Sequence, residues 1–212
     1  MKVSEVFFSI QGESSFAGRP CAFIRLAGCD LRCSYCDTEY AFSGGTEMSV
    51  AEILQEIKAF PTQLALITGG EPMLQPSVHD LSRGLLERNY EVLLETGGHI
   101  SLKDVDPRVH KIMDLKCPSS GMQKHNDYAN IRYLTSADEL KFVVGDREDF
   151  DWACGVIRRY RETLRVGSIH FSPVHGKVPL EDLAGWILSS GMPVRLQLQL
   201  HKMIWPDINR GK

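Results

Sequence analysis

Three of the chain's six cysteines, Cys29, Cys33 and Cys36, fall within eight residues in the stretch GCDLRCSYCDT. Such crowding suits a metal or redox site better than a disulfide framework, because the thiolate is the metal-binding form of cysteine. A structural zinc site closes with four ligands, and no second Cys-x2-Cys or His pair accompanies this loop. Three thiolates instead suit a cubane iron-sulfur cluster with one iron left free of protein ligands and open to a small molecule.

Other residues with chemical potential gather in short motifs. TGGEP contains Gly70 and Glu71, where glycines let backbone approach a ligand and the carboxylate offers an acceptor; read alone, it is also an ordinary turn. FFSIQGES sets Ile10, Gln11, Gly12 and Glu13 after an apolar run, and CAFIRLAGC puts Arg25 inside a run that reads as buried. A buried guanidinium needs a partner, either a ligand carboxylate or an internal acid. Asp37-Thr38 offers oxygen ligands beside the last clustered cysteine, or Thr38 merely caps a loop. Thr68, Glu95, the Cys117-Pro118-Ser119 turn and His201 close further runs, and a lone histidine in such a place is more often structural than catalytic.

These residues need elements to bring them together. Strand-length apolar runs lie at about 3–10, 21–27, 64–68, 91–95, 111–115, 139–144, 169–172 and 194–200, mostly without alternation, as in a parallel sheet covered on both faces. Helical patterns fall between several of them. SVAEILQEIKAF carries a Ser49/Glu52 capping box, and Ser77 is placed to cap the next helix; DREDFDWACGVIRRYRETL and VPLEDLAGWILSSG follow. The gap from 95 to 111 is too short for a crossover helix, and 119–138 is largely polar. The pattern predicts an α/β fold: an abbreviated parallel (β/α) partial barrel with fewer helices than strands, forming one domain over 1–212. Ligands of parallel α/β folds bind where loops leave the carboxyl ends of the strands, and the motifs fall at those ends.

Composition sets the limits. The chain has 212 residues, 43% apolar and 24% charged, with a net charge of −3 and no basic block, so nucleic acid is not an expected partner. MKVSEVFFSIQGE lacks a signal-peptide core and no later run reaches the length of a membrane span, which predicts a cytoplasmic protein. Cys21 and Cys154 sit in apolar contexts and are expected to be core thiols. The other histidines are expected to be structural or solvated.

The spacing Cys29-x3-Cys33-x2-Cys36 followed by Gly69-Gly70-Glu71-Pro72 resembles the radical S-adenosylmethionine superfamily. That resemblance implies a [4Fe-4S] cluster on the three cysteines, whose open iron binds S-adenosylmethionine. Together IQGE, FIRLAGC, CDLRCSYCDT, TGGEP, ETGG and the terminal QLHK-x2-WP resemble, over almost the whole chain, the 7-carboxy-7-deazaguanine synthase family. This implies conversion of 6-carboxy-5,6,7,8-tetrahydropterin to 7-carboxy-7-deazaguanine with loss of ammonia, on the route to queuosine. It further implies that Thr38 binds Mg2+ and that Arg25 clamps the substrate carboxylate. Ile10, Gln11, Gly12, Glu13, Thr68, Glu95 and His201 would complete the pterin pocket. Tyr35, Cys36, Asp37, Gly70, Glu71, Cys117, Pro118 and Ser119 would contact S-adenosylmethionine. Many family members carry Ser-Pro-Lys where this chain has Cys117-Pro118-Ser119, so Lys116 is the candidate replacement. An external electron donor such as flavodoxin or ferredoxin and a homodimer are implied as well. Two other readings stand beside this one: a glycyl-radical activating enzyme acting on a protein partner, and a small non-enzymatic metal-binding module.

Overall fold

The computed structural model describes residues 1–208, 210 and 211. Its first apolar run forms β1 (Lys2–Ile10), which pairs antiparallel with β2 (Pro20–Leu26) and, on its other edge, with the short β3 (Thr46–Glu47). From β2 onward every neighbouring pair is parallel: β4 (Leu64–Gly69), β5 (Glu91–Thr96), β6 (His110–Asp114), β7 (Glu139–Val144), β8 (Ser168–Pro173) and β9 (Arg195–Leu196). The sheet order is β3-β1-β2-β4-β5-β6-β7-β8-β9. The antiparallel β1 corrects the all-parallel expectation: nine residues separate β1 from β2, too few for a crossover and enough for a looped hairpin.

Among the described residues, five α-helices accompany these nine strands: α1 (Val50–Ile57), α2 (Val78–Leu86), α3 (Arg147–Tyr160), α4 (Leu180–Ser190) and α5 (Leu200–Ile204). The capping box forms, with the Glu52 amide donating to Ser49 Oγ at 3.2 Å and the Ser49 amide to Glu52 Oε2 at 2.7 Å. Ser77 makes no capping bond, because its own dihedrals are already helical rather than the extended ones of a capping residue. Only short 3-10 turns fill 118–133. The strand expected over 194–200 shrinks to Arg195–Leu196. Gln197 turns its side chain to the Ser14 carbonyl and the Leu200 amide donates to the Gly12 carbonyl, so the chain leaves the sheet and coils into α5.

Alternation is present after all, and it decides what faces the interior. One face of the strands, carrying Ala22, Ile24, Leu26, Ala65, Ile67, Val92, Leu94, Leu140, Phe142 and Phe171, packs under the helices. The opposite face carries a separate apolar layer of Cys21, Phe23, Leu64, Leu66, Leu93 and Ile112, with Phe7 and Phe16 against it. Two residues further along each strand, the same face turns polar: Arg25, Thr68, Glu95, Asp114 and, on the next strand, Lys141. At the amino end of the strands, the loop after β1 is held by Glu139, whose two oxygens accept the Ser15 amide at 3.0 and 3.2 Å. His110 Nε2 lies 3.1 Å and His170 Nε2 2.8 Å from the same carboxylate.

Candidate active site

The cysteine loop leaves β2 through Gly28, whose φ of +103° needs glycine. It is rooted on β4: the Gly70 amide donates to the Leu26 carbonyl at 3.1 Å and the Glu71 amide to the Gly28 carbonyl at 2.8 Å. A Cβ on Gly69 would lie 2.2 Å from the Leu26 oxygen, and one on Gly70 would lie 2.3 Å from the Gly28 oxygen. The two glycines therefore bring backbone against backbone at the root of the loop, where close approach to a ligand was expected. The far end of the loop is tied by Ser34, which donates from its amide to the Ser120 carbonyl at 3.0 Å and from its hydroxyl to the Ser119 carbonyl at 2.7 Å.

This bracing turns Cys29, Cys33 and Cys36 toward one cavity of about 440 Å3, each thiol partly exposed. Cys21, Cys117 and Cys154 are buried elsewhere. Burial pushes the three clustered thiols up, opposed at Cys33 and Cys36 by the nearby Lys116 ammonium. Three accessible soft donors, with a cation positioned to favour the thiolates of Cys33 and Cys36, fit an iron-sulfur cluster with a free coordination site. Cys21, whose thiol burial pushes up to about 12, is an inert core group, as its apolar context predicts.

Of the remaining expected residues, Ile10, Gln11, Gly12, Glu13, Arg25, Tyr35, Asp37, Thr38, Thr68, Gly70, Glu71, Glu95 and His201 all line the same cavity. Cys117, Pro118 and Ser119 do not. Cys117 is fully buried, and the Ser119 amide donates to Asp149 at 2.9 Å while its hydroxyl also bonds that carboxylate, so this turn braces α3. Lys116 does line the cavity, its ammonium 2.8 Å from Asp114. Glu71 lines the cavity with its carboxylate already engaged. Its 1%-exposed carboxylate already accepts the Met73 amide at 3.0 Å, the Thr96 hydroxyl at 2.7 Å and the Gly97 amide at 2.8 Å, which makes it a strut between strand ends.

The polar inner wall is an ion-pair network. Arg25 Nε donates to Glu5 Oε1 at 2.8 Å, an internal partner, and among the described residues its terminal nitrogens make no hydrogen bond. Lys141 bridges Glu13 and Glu95, 2.8 Å from the latter, and Thr68 donates to Glu95 at 3.1 Å. Burial alone would raise the Glu95 carboxyl, but the Lys141 ammonium outweighs it and holds the group below the usual range. Thr38 makes no capping bond to the 3-10 turn that follows; its hydroxyl donates to Asp37 Oδ1 at 2.8 Å at the cavity edge.

The C-terminal segment forms the remaining side. The Gly12 backbone lies so close to His201 that an added Cβ would sit 2.5 Å from Nδ1. Gln199 donates to Glu13 Oε1 at 2.8 Å, and Lys202 reaches Asp37 at 2.6 Å. Burial lowers the His201 pKa against the pull of Glu13 and Asp37, which favours a neutral ring near pH 7. Trp205, Pro206 and Ile208 also line the cavity, and the Gly211 amide donates to Glu5 Oε2 at 3.1 Å. Sequence reasoning missed Lys141, Asp114, Lys202 and His175 as cavity residues. For the first two the available signal was a charged residue within an apolar strand, the same signal that marked Arg25.

Comparison with known proteins agrees with this geometry. The radical SAM superfamily profile matches residues 23–187. The chain is 48% identical to the 7-carboxy-7-deazaguanine synthase of Chlorobaculum tepidum, covering all of this chain and 97% of that protein. It is 42% identical to the protein of the same name from Koribacter versatilis, with both chains covered completely. Among solved structures it is similar in fold to QueE from Escherichia coli, with a TM-score of 0.78 at 21% identity over 93% of each chain. Streptococcus suis SuiB bound to S-adenosylmethionine shares the fold more distantly, with a TM-score of 0.61 at 13% identity over 85% of this chain and 50% of that one. Fold, cysteine spacing and full-length similarity together place the chain in the 7-carboxy-7-deazaguanine synthase family of radical S-adenosylmethionine enzymes.

Proposed function

We propose that this protein converts 6-carboxy-5,6,7,8-tetrahydropterin to 7-carboxy-7-deazaguanine, releasing ammonia in a ring contraction on the route to queuosine. The observation that carries the reading is the meeting, in one cavity, of three accessible thiols with an arginine and two carboxylates.

In this reading Cys29, Cys33 and Cys36 would hold the [4Fe-4S] cluster, and Tyr35, Asp37, Gly70 and Lys116 would border S-adenosylmethionine. When bound, this pair supplies one-electron activation of a substrate C–H bond. The chain's own residues bind and orient. The terminal nitrogens of Arg25 take the substrate carboxylate, their direction fixed because Glu5 already holds Nε. Glu13 and Glu95 accept ring N–H groups, Thr68 fixes Glu95, and neutral His201, packed against Gly12, bonds the heterocycle. Ile10, Gln11 and Gly12 supply the adjoining backbone wall. Thr38 would hold a Mg2+ ion, a role supported by a hydroxyl lining the cavity that no capping bond consumes.

A single domain over 1–212 is supported by one continuous sheet. An external donor such as flavodoxin or ferredoxin, assembly as a homodimer and a cytoplasmic location complete the proposal; among the described residues no helix is long and apolar enough to cross a membrane.

The test is anaerobic. The reconstituted protein receives reductant, S-adenosylmethionine, magnesium and the tetrahydropterin, and mass spectrometry follows 7-carboxy-7-deazaguanine. Product over many turnovers without matching loss of S-adenosylmethionine is expected; cofactor cleavage with the pterin intact would sink the substrate assignment and favour the activating-enzyme reading.

A further inference from the structure

Lys141 lies at mid-strand in β7 with its side chain 6% exposed, yet its ammonium faces the cavity between two carboxylates. It touches Glu13 Oε2 and lies 2.8 Å from Glu95 Oε1. The other oxygens of the pair are also engaged, Glu13 Oε1 by the Gln199 amide at 2.8 Å and Glu95 Oε2 by the Thr68 hydroxyl at 3.1 Å. Each ionised carboxylate has about four lone-pair sites, so both retain capacity for ligand N–H groups.

Two carboxylates this close in a poorly solvated pocket do not both stay ionised without a cation between them. A protonated member presents an O–H donor where an acceptor is needed. We propose that Lys141 is a positioning residue that keeps Glu13 and Glu95 together as ionised acceptors for the N–H groups of a 2-amino-4-oxopyrimidine ring, and so sets the preference for 2-amino heterocycles. The proposal rests on the pterin reading of the cavity.

The charged groups around Lys141 come from several elements: Glu13 from the β1–β2 loop, Glu95 on β5, Asp114 and Lys116 at the end of β6, Asp37 in the cysteine loop and His201 on α5. Among the described residues, only Glu13 and Glu95 contact the ammonium as salt-bridge partners. Removing its charge therefore leaves two neighbouring carboxylates without the cation that lies between them, which favours a shared proton that ligand binding must expel.

The experiment measures binding of 6-carboxytetrahydropterin to the anaerobic, reconstituted protein by calorimetry from about pH 4.5 to about pH 8, a range that extends into the region where a carboxylate pair gives up a shared proton. Wild type comes first and accounts for the ligand's own protonation; absence of binding there refutes the pterin reading and leaves the lysine argument without its ligand. In Lys141→Met the dissociation constant is expected to rise about tenfold per unit of falling pH below the pair's apparent pKa, whereas wild type stays flat. Lys141→Arg should restore the flat profile. A methionine variant that parallels wild type at every pH overturns the proposal, since a purely structural lysine moves stability but not the pH slope. Should that variant fail to fold, wild-type binding of the 2-oxo analogue decides: an affinity loss of about 100-fold or more is expected because the carboxylates lose their N–H partner, and equal affinity overturns the proposal.

Discussion

Lys202 on α5 places its ammonium 2.6 Å from Asp37, the residue that directly follows the last clustered cysteine. The C-terminal segment and the cysteine loop are thus joined across the cavity mouth. Burial raises the Asp37 carboxyl, but Lys202 and the Thr38 hydroxyl outweigh it and bring the group down to about 2. A depressed carboxylate contributes stability above its ordinary pKa of 3.8 and loses it as pH falls toward about 2, so the clasp holds throughout the neutral range. Asp37 is half-exposed, and water and salt screen the pair. Lys202→Met is expected to leave the melting temperature nearly unchanged while exposing the bonds after residue 200 to limited proteolysis and raising KM. Protection equal to wild type would count against the clasp.

Arg25 offers a sharper contrast, because Glu5 orients it while its terminal nitrogens stay available. Arg25→Met is expected to weaken pterin binding by about 1.5–3 kcal/mol, the range for hydrogen bonds to charged groups. The same variant should bind a pterin lacking the 6-carboxylate as wild type does. A double comparison of both ligands on both proteins checks this, and equal losses for the two ligands would place Arg25 away from the carboxylate.

Gly70 tests the bracing of the cysteine loop. In Gly70→Ala the new Cβ would lie 2.3 Å from the Gly28 oxygen and 2.8 Å from Cys29 Cβ, both beyond what flexible side chains can relieve. Overpacking of this kind costs about 1–3 kcal/mol and shifts the loop root. Iron and sulfide content after reconstitution should fall well below wild type while the far-ultraviolet circular dichroism spectrum is retained. Full cluster occupancy would show that the loop tolerates the shift.

Glu139 carries a pH dependence at the opposite end of the strands. Burial raises its carboxyl, yet the neighbouring His110 and His170 and the Ser15 amide together hold it well below its ordinary 4.5. Its stabilisation is therefore complete above 4.5 and drains away as pH falls further. Glu139→Gln should lower thermal stability at pH 7, and the gap to wild type should narrow on acidification as wild type loses its advantage. A constant gap from neutrality to pH 4, just below that ordinary value, would contradict the assignment.

Much of this was legible along the chain, and particular residues show why. Cys29, Cys33 and Cys36 lie in one short loop, so local spacing alone fixed which thiols act together and which, like Cys21 and Cys154, pack in the core. The strand runs and the Ser49 capping box were equally local, because hydrophobic periodicity and N-terminal hydrogen bonds act within a few residues. What the sequence by itself determined was therefore the family, the barrel-like order of strands and helices, and the grouping of the three thiols proposed to hold the cluster. Tertiary structure alone decided the partners. Arg25 meets Glu5 across a hairpin, Lys141 joins Glu13 to Glu95 from three separate elements, and the glycines of TGGEP meet the backbone of Leu26 and Gly28. It also engaged Glu71 in hydrogen bonds between strand ends, set the Cys117-Pro118-Ser119 turn outside the cavity lining, and bent the final apolar run into α5. Spacing specifies neighbours in the chain, whereas an ion pair or a close backbone contact depends on which strands lie side by side and on which face each residue emerges, and those are properties of the assembled sheet.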